Sequence, residues 1–275
     1  MNVPVFLAEV GDLAGLGPGD VHLLGGAEGR HAGVVQRRAP GERVDVVDGL
    51  GVRLECVVGA VGADGVTLHV VTRTVESVPD VRLVLVQALA KGDRDELAIE
   101  AATEVGVDAV VPWQAERSVV VWRGDRAAKS RARWLGTVRA AAKQSRRAWV
   151  PEVELGVDGR GLVDRVRSTV AVGGVALVLH AEALERLAGV RLPGLEPGRV
   201  SDGASAGRPA DRQGVRRLRD VLVVVGPEGG ISGRELDALT GAGAVAVRLG
   251  PHVLRTSTAG PVALALLAQR LGRWG

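Results

Sequence analysis

Up to about residue 75 the apolar positions fall in short valine-rich runs, 43–48, 52–61 and 66–72, a spacing that predicts strands. The tetrapeptides Asp48-Gly49-Leu50-Gly51 and Gly62-Ala63-Asp64-Gly65 between them carry turn chemistry. The stretch reads as all-β, a small barrel or folded sheet. Residues 76–79 break the pattern and mark a domain boundary. From residue 81 the rhythm changes. Run 81–89 is predominantly apolar, as in a strand buried on both faces. Residues 95–105 have helical periodicity, closed by Gly106 at a C-cap position. Further strands are expected at 108–111, 175–179, 221–225 and 245–249, and a long basic helix over 126–146. The segment 261–271 is apolar almost all round, so it predicts a helix buried against its own sheet and a second subunit. Repeated βα units imply a parallel sheet covered on both sides. The chain therefore divides into a β domain, 1–75, and an α/β domain, 76–275. Segment 196–214 has almost no apolar residues and reads as a surface loop without an assigned function.

Composition narrows the setting. An apolar fraction of 46% in 275 residues is ample for two cores. Cys56 is the only cysteine, so no intramolecular disulfide forms. No apolar run approaches the ~20 residues that span a bilayer, and residues 1–11, with Glu9 among them, lack the pattern of a signal peptide. The expectation is a cytoplasmic protein with no membrane and no metal partner.

The net charge of +3 is small but unevenly placed. Between Arg117 and Arg147 stand ten basic residues and one acid, Asp125. Such a segment attracts a phosphate backbone, and arginine suits bidentate phosphate contact. It also fits an ordinary solvated helix face in a chain whose bias to Arg, Ala, Gly and Val follows genome composition. Arg126, Lys129 and Arg133, at i, i+3 and i+7, share one helix face.

The sharpest local feature is the strand 221–225 running into Gly226-Pro227-Glu228-Gly229-Gly230-Ile231-Ser232 and directly into a helix. Ser232 and Glu235 have capping-box spacing. Loops at the carboxyl ends of parallel strands are where such sheets bind ligands, and glycines let the main chain approach one. A tight βα turn without a ligand fits the same residues. No phosphate-loop pattern occurs, and the one dinucleotide-like match, at 241–246, follows a helix rather than a strand. A second loop, Leu249-Gly250-Pro251-His252-Val253-Leu254-Arg255-Thr256-Ser257-Thr258-Ala259, follows the last strand.

These two loops together resemble the SPOUT-class 16S rRNA (uracil-N3) methyltransferase family. Four upstream segments are similar to that family in the same order. They are His31 with Arg37, Lys91-Gly92-Asp93-Arg94 with Glu100, Glu104 and Gly106, Glu116-Arg117-Ser118, and 142–147 followed by Val150-Pro151. The resemblance spans nearly the whole chain. It implies a PUA-like β-barrel that helps bind RNA, an α/β domain with a C-terminal trefoil knot, a homodimer, and S-adenosylmethionine as cofactor. Carried over by motif, cofactor contacts fall to Leu179, His180, Gly226, Pro227, Glu228, Gly229, Gly230, Leu249, Gly250, Val253, Leu254, Arg255 and Thr256. The implied RNA contacts are Arg37, Arg117, Arg126, Lys129, Arg133, Lys143 and Arg146, with 16S rRNA or the small ribosomal subunit as partner. The sequence departs from the family pattern at His252, which stands in place of Arg, and at Ser257, which stands in place of Glu.

For methylation of uracil N3, Arg255 is the expected stabiliser of charge on the uracil carbonyls. Glu228 is the candidate to orient the ligand or accept a proton, although a carboxylate capping loop amides fits it equally. The rival readings are an RNA-binding protein of this fold without activity, and a methyltransferase for another RNA. Of the six aromatic residues, Phe6 and five tryptophans, most are expected in the core and few remain to stack on a base.

Overall fold

The computed structural model describes residues 3–195 and 218–274. The segment 196–214, expected to be a surface loop, lies outside the described residues. The chain forms two compact units, 1–78 with 139–150, and 79–138 with 151–275. A boundary near residue 76 is present, but 139–150 joins the first unit, not the second as expected.

In the first unit, β1 (Val5–Leu7), β2 (Val21–Leu24), β3 (Arg43–Val47), β4 (Val52–Gly62) and β5 (Gly65–Val75) form one sheet in the order β1-β3-β4-β5-β2. The β4–β5 hairpin closes at Gly62 and Gly65, as the turn residues predicted, with register shifts at Glu55/Cys56 and Val58/Ala60 that bend the ribbon. The core is Phe6, Leu13, Leu24, Val44, Val46, Leu54, Val66 and Leu68. Cys56 lies in it, and burial pushes its thiol pKa up to about 12, so it is chemically inert. The all-β expectation is corrected in one place. Between β2 and β3 stand a short helix, α1 (Gly26–Arg30), and a π-helical turn at His31–Val35. Three glycines in these ten residues hide the helix from propensity reasoning.

The second unit is α/β. Its strands are β6 (Val81–Ala88), β7 (Ala109–Gln114), β8 (Glu152–Val153), β9 (Val157–Asp158), β10 (Val175–Leu179), β11 (Glu185–Arg186), β12 (Arg219–Val225) and β13 (Val245–Arg248). They pair in the order β11-β13-β10-β12-β6-β7-β8, with β9 also on β7, and every pair is parallel. The helices are α2 (Arg94–Glu104), α3 (Asp125–Gln144), α4 (Gly159–Ala171), α5 (Gly233–Gly241) and α6 (Thr256–Arg270), the last residues of α3 falling in the first unit. Helices α4 and α5 cover one face through Leu162, Val166 and Leu239. Helices α2 and α6 pack together and α6 lies on β6 and β12. This is the doubly covered parallel sheet that the uninterrupted valine runs demanded. Gly106, at φ +102°, follows α2 as expected. Helix α6 begins at Thr256, five residues before the expected start at Pro261, which sits inside it.

No described helix is long and apolar enough to cross a membrane.

Candidate active site

The C-terminal ends of β6, β7, β10, β12 and β13 lie side by side, and the loops that leave them form the site. The capping box predicted from Ser232 and Glu235 is present: the Glu235 amide donates to Ser232 Oγ at 3.1 Å and the Ser232 amide to Glu235 Oε2 at 3.2 Å. It fixes where α5 starts and therefore where the glycine-rich turn ends. Glu235 does more than cap. Its Oε1 accepts from the Glu116 amide at 2.8 Å, which ties the loop after β7 to the turn. Arg117 then reaches over and donates from Nη1 to the Gly229 carbonyl at 2.9 Å. Arg234 ion-pairs with Glu116. The hydrogen bond from Ser232 and the charge of Arg234 hold the Glu116 carboxyl below its usual pKa.

Within the turn, Gly226 is required by close approach. A Cβ there would stand 2.7 Å from Ile231 Cγ1. Gly230 has φ +73°, where a side chain is strained. Pro227 is buried, while Glu228, Gly229 and Gly230 are exposed. Glu228 is braced from the loop after β6: its Oε1 accepts from Arg94 Nη1 at 2.6 Å and from the Lys91 amide at 3.2 Å. Partial burial alone would raise its pKa. Hydrogen bonds from its own amide, Arg94 and Lys91 outweigh that, and the net displacement is downward. These contacts are the ones expected of a carboxylate that caps loop amides.

The two loops singled out in the sequence meet. Thr256 Oγ1 donates to the Gly226 carbonyl at 2.8 Å, and Gln87 Nε2 donates to Thr256 Oγ1 at 3.0 Å. Leu179 and His180 end β10 half-buried, and the His180 amide donates to the Val247 carbonyl at 2.9 Å, which sets them beside β13. Leu249 is half-buried, and Gly250, Val253, Leu254 and Arg255 are exposed. Among the described residues, the main chain of 251–254 makes no hydrogen bond. Arg255 is the N-cap of α6; its carbonyl accepts from the Thr258 and Ala259 amides, and its guanidinium has no partner among the described residues.

The expected RNA contacts separate into free and engaged groups. Arg126 and Lys129 are exposed on α3 and form no ion pair among the described residues. Arg133, on the same face, pairs with Glu96. Arg117 holds the Gly229 carbonyl. In the first unit Lys143 pairs with Glu28 at 2.6 Å, and Arg37 and Arg146 adopt left-handed backbone, φ +52° and +58°. Of the tryptophans, Trp113 and Trp134 are fully buried, and Trp122 packs edge-on against Trp134 with ring centroids 5.2 Å apart. The core fate expected for most aromatics holds for these.

Residues 77–268 match the model of a family described as an RNA methyltransferase domain, and that match covers more than half of the chain. This chain belongs to the RNA methyltransferase domain family. Among similar members, the Ribosomal RNA small subunit methyltransferase E of Mycobacterium tuberculosis (strain CDC 1551 / Oshkosh) is 46% identical over 258 residues, 93% of this chain and 89% of that one. The protein of the same name from Bacillus subtilis (strain 168) is 29% identical over 245 residues, 88% of each. A crystal structure of a Ribosomal RNA small subunit methyltransferase E from Neisseria gonorrhoeae, bound to S-adenosyl methionine, superposes with a TM-score of 0.78 at 26% identity, covering 98% of each chain. As a family member, the chain places its glycine-rich turn and last loop within the matched segment.

Sequence reasoning missed one member of the site. Gln87 was absorbed into the apolar run 81–89, where an amide following four consecutive apolar residues was the available signal.

Proposed function

We propose that this protein transfers a methyl group from S-adenosylmethionine to N3 of a uridine in 16S ribosomal RNA, acting in the cytoplasm on that RNA or on the small ribosomal subunit. The observation that carries the reading is the hydrogen bond from Thr256 to the Gly226 carbonyl, which joins the two glycine-containing loops at one edge of the sheet. Ligands of parallel sheets bind at that edge. The names of the Mycobacterium and Bacillus relatives and the ligand of the Neisseria structure support the substrate and the cofactor. The choice of uracil N3 rests on the order of the sequence motifs, ending in 249–259.

The loops fit the cofactor. Gly229 and Gly230 leave main chain exposed, and the carbonyls of 251–254 and the amides of 252–254 have no partners among the described residues, beside the exposed side chains of Val253 and Leu254. Leu179, His180, Gly226, Pro227, Glu228, Gly229, Gly230, Leu249, Gly250, Val253, Leu254, Arg255 and Thr256 would hold it. When bound, S-adenosylmethionine supplies an electrophilic methyl group. Arg255, exposed and without a partner among the described residues, stabilises negative charge on the uracil carbonyls as N3 loses its proton. Glu228 keeps the glycine turn in place through Arg94 and Lys91. N3 lies on the Watson–Crick edge, so the uridine reacts unpaired or flipped. Most of the acceleration comes from positioning the two reactants.

RNA is held by Arg126 and Lys129, with Arg37 and Arg146 in the first unit, which serves as the PUA-like module. Arg117, Arg133 and Lys143 support the scaffold first, since each already has a partner. A trefoil knot is part of the proposal. It rests on the family resemblance, and α6 lying on β12 and β6 after β13 has paired with β10 is compatible with it. The exposed apolar residues Val253, Leu254, Val262 and Leu266 give a second copy a surface to cover, supporting a homodimer.

Calorimetric titration of the purified protein with S-adenosylmethionine, followed by methyl transfer to small subunits from cells lacking the protein, tests the reading. It predicts saturable binding and transfer to a single uridine. A folded protein indifferent to the donor contradicts it.

A further inference from the structure

Strand β6 is buried on both sides, between β12 and β7, yet carries a carboxamide at its C-terminal end. Gln87 is fully buried, opposite Val225 on one side and Pro112 on the other. Its Nε2 donates twice, to Thr256 Oγ1 at 3.0 Å and to the Ala88 carbonyl at 3.2 Å. The Thr256 hydroxyl commits its single proton to the Gly226 carbonyl at 2.8 Å. Among the described residues, Gln87 Oε1 accepts nothing. Turning the amide over does not cure this. It would set Oε1 against the Ala88 carbonyl, which has no proton, and against a hydroxyl whose proton is already engaged.

We infer that Gln87 is a positioning residue for methyl transfer: its carboxamide, through Thr256, fixes the last loop against the glycine-rich turn and so sets the shape of the cofactor cleft. The inference rests on the function proposed above and deepens it. Three observations carry it. First, an acceptor buried without a partner lowers stability, and an apolar side chain of the same length would avoid that loss. An amide kept in such a place serves something other than the core. Second, residues 251–254 make no main-chain hydrogen bond among the described residues, so the loop is placed by its ends, and Thr256 is the end nearest the site. Third, α6 approaches β6 and β12 so closely that a Cβ on Gly260 would stand 2.8 Å from Leu85 Cδ1. That packing sets the depth of α6. The Gln87–Thr256–Gly226 chain then fixes its first turn relative to the turn that follows β12.

The test uses the full-length protein and four variants, Gln87→Met, Thr256→Val, the double variant and Thr256→Ser. Thermal unfolding, calorimetric affinity for S-adenosylmethionine, and kcat and KM on small subunits lacking the modification are measured for each. Gln87→Met unfolds at the wild-type temperature or above it, because an unpaired acceptor has gone. Its dissociation constant for S-adenosylmethionine rises about tenfold, as does that of Thr256→Val, equivalent to about 1.4 kcal/mol. The double variant is no worse than the poorer single one, since all break the same link. Thr256→Ser, which keeps the hydroxyl, recovers most of the affinity that Thr256→Val loses. KM for the ribosomal substrate is unchanged. A Gln87→Met protein with wild-type affinity and kcat overturns the inference, as does a loss of affinity that only follows a fall in unfolding temperature. Additive losses in the double variant also overturn it. Wild-type protein that binds no S-adenosylmethionine overturns the proposed function instead, and this inference with it.

Discussion

A side chain that takes a proton at neutral pH needs a pKa near neutrality, and Glu228 is displaced the other way by Arg94 and two amides. Replacing a general base costs about 10²–10⁴ in rate. Glu228→Gln is expected to cost less than about tenfold and to leave the pH–rate profile where it was, with Arg94→Ala producing the same modest loss. A shifted acidic limb in Glu228→Gln would restore it as the base. Arg255→Ala, by contrast, removes the donor proposed to stabilise charge on the uracil carbonyls and is expected to lower kcat by about 10²-fold. A third prediction concerns His22 in the first unit. It is buried, Nε2 has no partner among the described residues, and burial lowers its pKa below the ordinary 6.5, against a smaller opposing effect of Asp12. The unfolded chain therefore binds a proton before the folded one as pH falls, so stability drops as pH goes below 6.5. Unfolding temperatures measured from pH 7.5 down to 5.5 should fall more steeply for the wild type than for His22→Phe. At this scale the sequence was informative about identities and silent about partners. Glu228, Arg117 and Glu235 stood out as motif residues, but only the fold shows Glu228 on Arg94, Arg117 on Gly229 and Glu235 on the Glu116 amide.

Among the elements, those with strong periodicity were legible. Five of the parallel strands announced themselves as apolar runs, whereas β8, β9 and β11, two residues each, were too short to leave a pattern; α5 announced itself by its capping box. Helix α6 was harder to delimit. Proline at 261 suggested a first position, where it is most at home, whereas the extended Arg255 caps a helix that already begins at Thr256. The consequence is functional: part of the supposed loop is the first turn of a helix whose hydroxyl reaches Gly226. The basic helix α3 divides its charge. Arg131 is held by the Val153 and Glu154 carbonyls and Arg133 by Glu96, so of the three cations expected on one face Arg126 and Lys129 remain for phosphates. Changing both to Ala should weaken RNA binding uniformly and flatten the plot of log affinity against log salt by about 0.7–0.9 for each phosphate no longer neutralised. An unaltered slope would assign that face to solvent.

For the whole molecule, the fold class was readable and the partition of the chain was not. Composition marks a break near residue 76, yet 139–150 returns to the first unit, where Lys143 pairs with Glu28 and Ala148 packs with Val5, Leu7 and Val47. Residues that meet from so far apart in the chain leave no periodic trace. The meeting of the two glycine-containing loops was expected only through family resemblance, because nothing in spacing brings 226–230 to 249–256. The fold supplies the reason: β12 and β13 flank β10 in one parallel sheet, so their following loops leave the same edge. The central claim is that this edge methylates one uridine of the small-subunit RNA. Mass-spectrometric mapping of 16S rRNA from cells lacking the protein tests it most directly. The account predicts loss of a single N3-methyluridine, restored by the wild-type chain and not by Arg255→Ala. An unchanged modification map, or full restoration by Arg255→Ala, would contradict it.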